Sequence, residues 1–329
     1  MTPLTDRFGR VHTDLRVSVT DRCSLRCTYC MPEQGLDWIP RTDTLTTDEL
    51  LRLVRVAVDN GVTTVRLTGG EPLLRPDIVA IVAAIRAMPG APDVALTTNG
   101  LRLPGLAAPL ADAGLGRVNI SLDTMDRDRF LALTRRDRLI DTLAGIAAAK
   151  AAGLDPVKIN SVLMRGVNDD EAATLLLWAM EQGLHLRFIE QMPLDPQHGW
   201  DAEQMVTADE IQQRLTDAGF DLEPADDRGS APAELFRVNG GPQTVGIIGS
   251  MTRPFCGDCN RMRLTSDGQW RNCLFGQSET DLRTPLRAGA TDEQLAELMR
   301  RDVAGKRRAH GTDDVGFVQP DRPMSAIGG

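Results

Sequence analysis

Three cysteines fall within eight residues of this sequence, at Cys23, Cys27 and Cys30. One short loop can therefore direct three thiols at a single centre. A closed structural zinc site takes four ligands, and a four-iron cluster ordinarily takes four cysteines, one for each iron. A loop with three thiols predicts a [4Fe-4S] cluster that leaves one iron open to another ligand. A zinc site completed by a distant histidine and unrelated core cysteines are the two alternatives.

A second group of three is formed by Cys256, Cys259 and Cys273. Taken alone, it is also compatible with a zinc ribbon that His310 or another distant group completes. In a chain that already has a three-cysteine loop, we predict a second [4Fe-4S] cluster instead. The two groups then use all six cysteines, and a zinc site would leave the missing fourth thiolate unexplained.

Cationic residues predict a binding site for a highly charged substrate. Arg261 and Arg263 are two apart in an extended segment, so their side chains point to the same side. Guanidinium groups fit phosphate oxygens, although a pair of charges on a strand is usually a solvated face. Arg16, Arg66 and Lys158 lie on three predicted strands. If they point inward, they form a basic lumen in an acidic protein.

The segment Gly69, Gly70 and Glu71 follows a predicted strand. Two glycines allow the backbone to approach a ligand closely, and Glu71 can accept a hydrogen bond from an ammonium group. Alone, this pair of glycines predicts only a turn. Beside a cluster, it fits the amino-acid end of a small cofactor. Ser121 and Met192, near the ends of two other strands, are uninformative by themselves.

The elements that must position these residues alternate between strand and helix up to about residue 218. Six strands are predicted, at residues 15–19, 63–67, 94–97, 118–122, 157–162 and 185–189. Capping boxes at Thr46 and Thr207 predict two helix starts, and Pro76 predicts another. Strict alternation predicts an α/β fold with parallel strands, either an incomplete six-unit (β/α) barrel or an open doubly wound sheet. In both, chemistry is found at the carboxyl ends of the strands, where every unusual segment here is placed.

The pattern changes after about residue 230. Hairpins are predicted around residues 239–241 and around residues 266–268, and two helices follow, from Thr284 and Thr291. The polar stretch near residues 219–231 is typical of a linker. We therefore predict two domains, a partial barrel at residues 1–225 and a smaller α+β domain at residues 226–329 that closes its mouth.

The composition is typical of a soluble globular protein. The chain has 329 residues, of which 42% are hydrophobic and 25% charged, with a formal net charge of −9. That charge argues against nonspecific nucleic-acid binding but allows a local basic pocket. The longest apolar run is too short to span a bilayer, and the first residues do not resemble a signal peptide. We therefore predict a cytoplasmic protein without membrane association, in which the cysteines stay reduced.

Together, these motifs resemble the GTP 3′,8-cyclase family, radical-SAM enzymes that open molybdenum cofactor biosynthesis. The resemblance covers nearly the whole chain and rests on both cysteine groups, on residues 68–72, 97–100 and 260–263, and on the final two glycines. It implies a first cluster that binds S-adenosylmethionine, with contacts from Tyr29, Gly70, Glu71, Ser121 and Met192. It implies an auxiliary [4Fe-4S] cluster and a GTP site formed by Arg16, Arg66, Thr97, Lys158, Arg261, Met262 and Arg263. Gly328, Gly329 and Arg263 are expected to act at the reacting substrate.

The resemblance also implies a reaction. The reduced first cluster cleaves S-adenosylmethionine, and the carbon radical produced takes hydrogen from ribose C3′ of GTP. The sugar radical then attacks C8 of the guanine, and reduction and protonation of the resulting aminyl radical give (8S)-3′,8-cyclo-7,8-dihydroguanosine 5′-triphosphate. Expected partners are GTP, an electron donor such as flavodoxin or ferredoxin, a downstream cyclic pyranopterin monophosphate synthase and a second copy of the chain.

One departure and two alternatives accompany this interpretation. Some members of the family have a lysine where this chain has Thr64, so either the triphosphate binds more weakly or its charge is matched from elsewhere. The first alternative is another radical-SAM enzyme with an auxiliary cluster, such as a peptide maturase. The second is a non-enzymatic electron carrier or zinc-binding protein, in which the glycine segment and inward cations would have no purpose.

Overall fold

The computed structural model describes residues 2–225, 228–312 and 317–328. Over these residues the chain has twelve strands: β1 Asp14–Ser18, β2 Thr64–Thr68, β3 Asp93–Thr98, β4 Arg117–Ser121, β5 Val157–Val162, β6 His185–Ile189, β7 Leu222–Pro224, β8 Glu234–Val238, β9 Thr244–Ile248, β10 Arg261–Leu264, β11 Gln269–Arg271 and β12 Thr280–Asp281. Over the same ranges it has ten α-helices: α1 Thr47–Asp59, α2 Ile78–Arg86, α3 Leu103–Asp112, α4 Arg127–Thr134, α5 Leu139–Ala151, α6 Ala172–Glu181, α7 Ala208–Asp217, α8 Arg283–Arg287, α9 Asp292–Ala304 and α10 Met324–Ile327.

All six predicted barrel strands are confirmed, with ends that differ by one residue or not at all. Strands β1 to β6 lie side by side in chain order, and each pairs in parallel with the next. A doubly wound sheet would reverse its strand order at some point, so this order selects the barrel alternative. The sheet does not close on itself, as an incomplete barrel requires.

The C-terminal strands continue the same sheet on both sides. Strand β9 pairs in parallel with β6, and strand β10 pairs in parallel with β1. Both predicted hairpins are confirmed, because β8 pairs antiparallel with β9 and β10 pairs antiparallel with β11. One strand of each hairpin therefore extends the barrel wall, so eight parallel strands surround the interior.

The helix starts follow local capping chemistry. Thr46 and Thr207 form the predicted capping boxes, and Thr291 forms a third with Gln294. Helix α2 begins at Ile78, two residues after the predicted start at Pro76. The carboxylate of Asp77 accepts hydrogen bonds from the side chains of Thr47 and Arg75 instead of capping the helix.

Helix α4 was not predicted from the sequence, because it begins with three charged residues and its eight residues are too few to show a clear helical period. Residues 169–181 form a 3₁₀ turn at Asp169–Glu171 that continues as α6.

The hydrophobic core lies between the outer face of the barrel sheet and the surrounding helices. Helix α1 buries Leu50, Leu53 and Val54, and the alternate strand residues Leu15 and Val65 face them. Residues on the opposite face of each strand therefore point to the interior of the barrel. In the described part of the chain, no helix is both long and apolar enough to cross a membrane.

Candidate functional site

The interior of the barrel holds a cavity of ≈ 580 Å³. The strand residues that line it mostly alternate with outward residues, as expected of a barrel interior, and β3 contributes both Thr97 and Thr98. The inward positions are Asp14 and Arg16 on β1, Thr64, Arg66 and Thr68 on β2, Thr97 on β3, Arg117, Asn119 and Ser121 on β4, Lys158, Asn160 and Val162 on β5, Arg187 and Ile189 on β6, Ile248 on β9, and Arg261 and Arg263 on β10. All six cysteines line the same cavity, so the two cysteine groups face one shared space.

The loop with Cys23, Cys27 and Cys30 follows β1 and is supported by the C-terminal end of α4. The main-chain N–H groups of Arg26 and Thr28 donate to the carbonyls of Thr134 and Leu133 at 3.0 and 2.9 Å. The first of these residues also donates through its guanidinium to the carbonyls of Cys23 and Leu25 at 2.7 and 2.8 Å. The unpredicted helix α4 thus fixes the path of the cysteine loop.

The two glycines after β2 serve the packing of this loop. A Cβ on Gly69 would lie 2.2 Å from the carbonyl oxygen of Thr20, and one on Gly70 would lie 2.3 Å from that of Arg22. Both carbonyls belong to the segment that leads into Cys23. The structure therefore explains the glycines by close approach of one loop to another, whereas the sequence predicted close approach to a ligand. Gly70 nevertheless lines the cavity.

Glu71 is buried and already has partners for both carboxylate oxygens. Oε1 accepts from Thr98 Oγ1 and Leu73 N, at 2.7 and 2.9 Å, and Oε2 accepts from Asn99 N at 2.7 Å. Burial raises the pKa of Glu71, while these hydrogen bonds oppose that shift. Glu71 thus joins the loops after β2 and β3, a role that the sequence did not predict. It also lines the cavity, so its expected contact with a cofactor remains a proposal.

The first cysteine group lines the interior of the barrel, where its thiols are partly shielded from solvent. Burial raises the pKa of Cys23 to about 11 and of Cys30 to about 12, and it raises the pKa of Cys27 well above its usual range. Thiols with such pKa values become good ligands only beside a strong positive charge, which iron supplies. The chemistry of this donor set therefore fits a metal cluster.

Tyr29 points into the same space and donates its hydroxyl to Asp123 Oδ2 at 2.7 Å. The other oxygen of Asp123 accepts from Val162 N at 2.9 Å. Burial raises the pKa of Asp123 to about 6, and its two hydrogen bonds lower it in part. This pair connects the cysteine loop with the carboxyl ends of β4 and β5.

The second cysteine group has a different electrostatic environment. Burial would raise the pKa of Cys259, but Arg261 and the buried Lys306 outweigh burial and lower the pKa to about 6. The ammonium group of Lys306 lies 3.3 Å from Cys259 Sγ and donates to the carbonyl of Arg261 at 2.7 Å. Burial raises the pKa of Cys256, and a hydrogen bond from the main-chain N–H of His310 opposes that shift. The contacts of Cys259 stabilise its thiolate, which is the form that binds metals.

No three His, Cys, Asp or Glu side chains within residues 2–225, 228–312 and 317–328 are grouped so that they could hold a single metal ion. A cubane places each thiolate on a different iron. Its ligands are therefore spread over the faces of a cluster and do not converge on one atom.

The cavity is strongly cationic. Its described lining contains seven cations (Arg16, Arg66, Arg117, Lys158, Arg187, Arg261 and Arg263) against the three carboxylates of Asp14, Glu71 and Asp123. Burial lowers the pKa of Arg16, Arg66 and Arg187 to about 10 each. The parallel register places Arg263, Arg16 and Arg66 next to one another across β10, β1 and β2. Such a row suits a polyanion.

Several polar atoms in this lining are buried without a hydrogen-bond partner in the described structure. They are Arg16 Nε, Arg66 Nη1, Arg261 Nη2 and Asn160 Oδ1. Buried polar atoms are rarely left unpaired, because each costs about 1–3 kcal/mol of folding free energy. The cavity thus offers donors and an acceptor that a polar ligand would satisfy.

The C-terminal segment enters this site. Met324 and Ser325 line the cavity, and the main-chain N–H of Ser325 donates to Cys30. The guanidinium of Arg263 donates to the carbonyl oxygen of Gly328, which has φ +86° and lies against Thr68. Gly329 lies outside the described residues, so its predicted role stays a prediction.

Most predicted site residues line the one cavity, and Met262 and Gly328 do not. The residues that line it are the six cysteines, Tyr29, Gly70, Glu71, Ser121, Met192, Arg16, Arg66, Thr97, Lys158, Arg261 and Arg263. Met262 points to the opposite face of β10, into the hydrophobic core, so any contact with a substrate would use its main chain. Gly328 reaches the site only through Arg263.

Five further residues were missed in the sequence: Arg117, Asn119, Asn160, Arg187 and Lys306. The first four lie on the same face as predicted inward residues of the same or a neighbouring strand. The alternation of side chains along a strand would therefore have identified them. Lys306 follows the end of α9, and its ammonium group contacts Cys259 Sγ. No local sequence pattern predicts that contact.

An open α/β barrel with a three-thiol loop at the carboxyl ends of its strands is the architecture of radical-SAM enzymes. Residues 17–179 match the family model described as the Radical SAM superfamily, and residues 184–312 match that of Molybdenum Cofactor Synthesis C. A protein from Streptomyces coelicolor named GTP 3′,8-cyclase is 59% identical over 329 residues, which cover 99% of this chain and 96% of that protein. A protein of the same name from Corynebacterium glutamicum is 56% identical over 337 residues, which cover 99% of this chain and 89% of that protein. The chain belongs to the GTP 3′,8-cyclase family.

The fold is shared with more distant enzymes. The crystal structure of Streptococcus suis SuiB bound to the precursor peptide SuiA has a TM-score of 0.63 and 16% sequence identity. The match covers 91% of this chain and 68% of SuiB. At this identity the similarity shows the radical-SAM fold alone.

Proposed function

We propose that this chain converts GTP to (8S)-3′,8-cyclo-7,8-dihydroguanosine 5′-triphosphate, the first step of molybdenum cofactor biosynthesis. The observation that carries the proposal is one cavity lined by two cysteine groups and by seven cations, some with unpartnered buried atoms. The names of the full-length relatives support the same activity. The chain also shares its fold with SuiB, whose crystal structure contains a precursor peptide. At 16% sequence identity, that similarity does not support the alternative that this chain is a peptide maturase.

S-adenosylmethionine and a [4Fe-4S] cluster belong to this family. We propose that Cys23, Cys27 and Cys30 hold the cluster and that Tyr29, Gly70, Glu71, Ser121 and Met192 surround S-adenosylmethionine. When bound and reduced, this pair supplies a carbon radical that abstracts hydrogen. The residues of the chain orient the two groups, and the barrel wall keeps water away from the reacting atoms.

We further propose that Cys256, Cys259 and Cys273 hold a second [4Fe-4S] cluster whose open iron faces the guanine. Arg16, Arg66, Thr97, Lys158, Arg261 and Arg263, with the main chain of Met262, then hold the remainder of GTP. The support is geometric: β10 begins two residues after Cys259, carries Arg261 and Arg263, and places Arg263 opposite Arg16 on β1. Arg263 and Gly328, followed by Gly329, position the ribose for hydrogen abstraction.

Other parts of the proposal concern organisation and partners. We place the boundary between the partial barrel and the C-terminal domain at residues 225 and 226. The proposed partners are an electron donor such as flavodoxin or ferredoxin, a downstream cyclic pyranopterin monophosphate synthase and a second copy of the chain. The proposed site of action is the cytoplasm.

Anaerobic reconstitution tests the activity. The protein is loaded with iron and sulfide, reduced, and incubated with S-adenosylmethionine and each nucleoside triphosphate in turn, and the products are analysed by mass spectrometry. We expect 5′-deoxyadenosine, methionine and a cyclised isomer of GTP, with no corresponding product from ATP, CTP or UTP. Cleavage of S-adenosylmethionine without any cyclised nucleotide would overturn the proposal.

Replacing each cysteine group separately tests the two clusters. Wild type should bind roughly eight irons if both clusters are cubanes. The triple change Cys256→Ala, Cys259→Ala and Cys273→Ala should halve the iron content, retain reductive cleavage of S-adenosylmethionine and abolish cyclisation. The corresponding change at Cys23, Cys27 and Cys30 should abolish the cleavage itself. Full cyclase activity in the first variant would refute the second cluster.

A further inference from the structure

We propose that Arg117 binds the terminal phosphates of the nucleotide at the end of the barrel remote from the cysteine loop. This inference rests on the proposed function, because it takes the substrate to be a nucleoside triphosphate. It adds a substrate-binding residue that neither the motifs nor the predicted site residues include.

Position in the barrel is the first argument. Arg117 is the first residue of β4, and Asp14 and Thr64 are the first residues of β1 and β2. All three line the cavity. Because the strands are parallel, these residues lie at the amino end of the barrel, while the cysteine loop follows the carboxyl end of β1. A substrate that extends along the barrel from the clusters therefore ends beside Arg117.

Charge is the second argument. The positive charge of Arg117 is among the causes that lower the pKa of Arg66, Lys158 and Arg187. Arg117 is therefore close enough to these three cations to repel them. Four cations thus gather at this end, and the carboxylates that oppose them are those of Asp14 and Asp93. The excess of positive charge favours an anionic group, and a triphosphate places its highest charge density at its end.

The ion pair between Arg117 and Asp93 is the third argument, and it also offers a competing explanation for the position of Arg117. The guanidinium forms an ion pair with Asp93 Oδ2, and Asp93 lies opposite Thr64 in the register of β2 and β3. The side chain of Arg117 is 29% exposed and that of Asp93 is 41% exposed, so neither is locked in the core. A guanidinium has five donors and can serve this carboxylate and a phosphate together. The competing explanation is that Arg117 only neutralises Asp93.

Nucleotide affinity separates the two explanations. Binding of GTP and of guanosine to the reconstituted protein is measured by anaerobic calorimetry in wild type, Arg117→Gln and the double variant Arg117→Gln/Asp93→Asn. We expect both variants to bind GTP about ten- to a hundredfold more weakly, the usual value of one charge-assisted contact, and to bind guanosine as wild type does. Wild-type GTP affinity in the double variant would show that Arg117 only neutralises Asp93 and would overturn the proposal.

A gain-of-charge variant gives an independent test. In the Arg117→Gln background, Thr64→Lys places an ammonium beside Asp93 at the same end of the cavity, and we expect it to recover at least tenfold in GTP affinity. Iron content and melting temperature verify that each variant is folded, and the double variant avoids leaving Asp93 unpaired. Equal weakening of GTP and guanosine, or no recovery with Thr64→Lys, would contradict a phosphate contact.

These outcomes are distinct from failure of the proposed function. If wild type binds and cyclises GTP while Arg117→Gln binds GTP with unchanged affinity, only the role of Arg117 is refuted. If wild type binds no nucleoside triphosphate, both proposals are refuted.

Discussion

Lys158 is the cation of the cavity whose charge changes nearest to physiological pH. Burial, together with the charges of Arg187, Arg117 and Arg66, lowers its pKa to about 8, and Asp93 opposes that shift. Lys158 is therefore charged below about pH 8 and loses its proton as the pH rises through that value. A neutral amine no longer attracts phosphate, so the pH should affect substrate binding.

We predict that GTP affinity falls between pH 7.5 and pH 9.5, by about tenfold or more if Lys158 makes one charge-assisted contact. Calorimetric titration at several pH values measures this fall. Lys158→Arg should keep its charge and bind GTP almost equally well across the range. Lys158→Met should bind weakly at every pH. A wild-type affinity that does not change up to pH 9.5 would show that another group holds the phosphates.

Individual site residues could be predicted from the sequence where their chemistry is concentrated in a short segment. Both cysteine groups and the pair Arg261 and Arg263 belong to that class. Arg117 and Arg187 were not predicted, although the alternation of side chains along β4 and β6 places them on the inward face. Glu71 was found, but its hydrogen bonds to Thr98 and Asn99 depend on a loop that is distant in sequence.

At the scale of elements, two glycines within helices provide a matched pair. Gly145 of α5 packs against the loop after β3, and a Cβ there would lie 2.1 Å from the carbonyl oxygen of Gly100. Gly105 of α3 faces open space, with no atom within 4 Å of such a Cβ. The same chemical change should therefore have opposite effects at the two positions.

We predict that Gly145→Ala lowers the free energy of unfolding by about 1–3 kcal/mol, because a backbone oxygen has no freedom to move aside. Gly105→Ala should raise it by about 0.5–1 kcal/mol, because alanine is the better helix residue. Thermal and denaturant unfolding of the two variants measures both changes. A stabilised Gly145→Ala protein would contradict the packing of α5 on this loop.

The C-terminal segment is fixed by a side chain that precedes helix α10. Arg322 donates to both oxygens of Asp267 at 3.0 Å and to those of Glu279 at 2.8 and 2.9 Å. The buried Arg271 also pairs with Glu279. Arg322 therefore ties the segment that carries Gly328 to the loops that flank β11.

We predict that Arg322→Ala loosens this segment and lowers turnover by at least tenfold, because small displacements of positioning groups reduce rates steeply. Hydrogen exchange should increase in residues 324–328, while iron content and GTP affinity change little. Arg301→Ala is the control, since Arg301 is 73% exposed and pairs only within α9, with Glu297. Unchanged exchange in the Arg322 variant would show that other contacts hold the segment.

Elements with a strong local signal were predictable, and those defined by distant contacts were not. The capping boxes at Thr46 and Thr207 gave the correct starts of α1 and α7. Helix α4 is short, and its last residues contact the cysteine loop, which is distant from it in the sequence. The pairing of β10 with β1 joins residues far apart in the chain, and no local pattern encodes it.

At the scale of the whole molecule, that pairing limits how the chain can be divided. The proposed boundary at residue 225 separates β1 and β6 from their outer neighbours β10 and β9. Unpaired edges of a parallel sheet promote aggregation. We therefore do not expect residues 1–225 to fold independently, because both outer strands of this part of the sheet would be unpaired. The match to the Radical SAM superfamily model nevertheless ends at residue 179.

We predict that a fragment of residues 1–225 is largely insoluble or self-associated when produced alone. Size-exclusion chromatography and circular dichroism measure this, with the full chain produced in parallel as the control. Supplying residues 226–329 as a second chain should recover soluble material, because it restores both neighbouring strands. A monomeric fragment with cooperative unfolding would show that the six-stranded part is self-sufficient.

The pairing of β1 with β10 also determines when, during protein synthesis, this part of the barrel wall can form. The side chain of Asn260 donates to that of Thr13, 247 residues earlier, at the start of this pairing. At about 5–20 residues per second, a ribosome needs roughly 12–50 seconds to cover that interval. For most of this interval the first cysteine loop has been synthesised, while Arg263 has not. A nascent or prematurely terminated chain can therefore carry the thiols of Cys23, Cys27 and Cys30 before β10 covers the edge of β1.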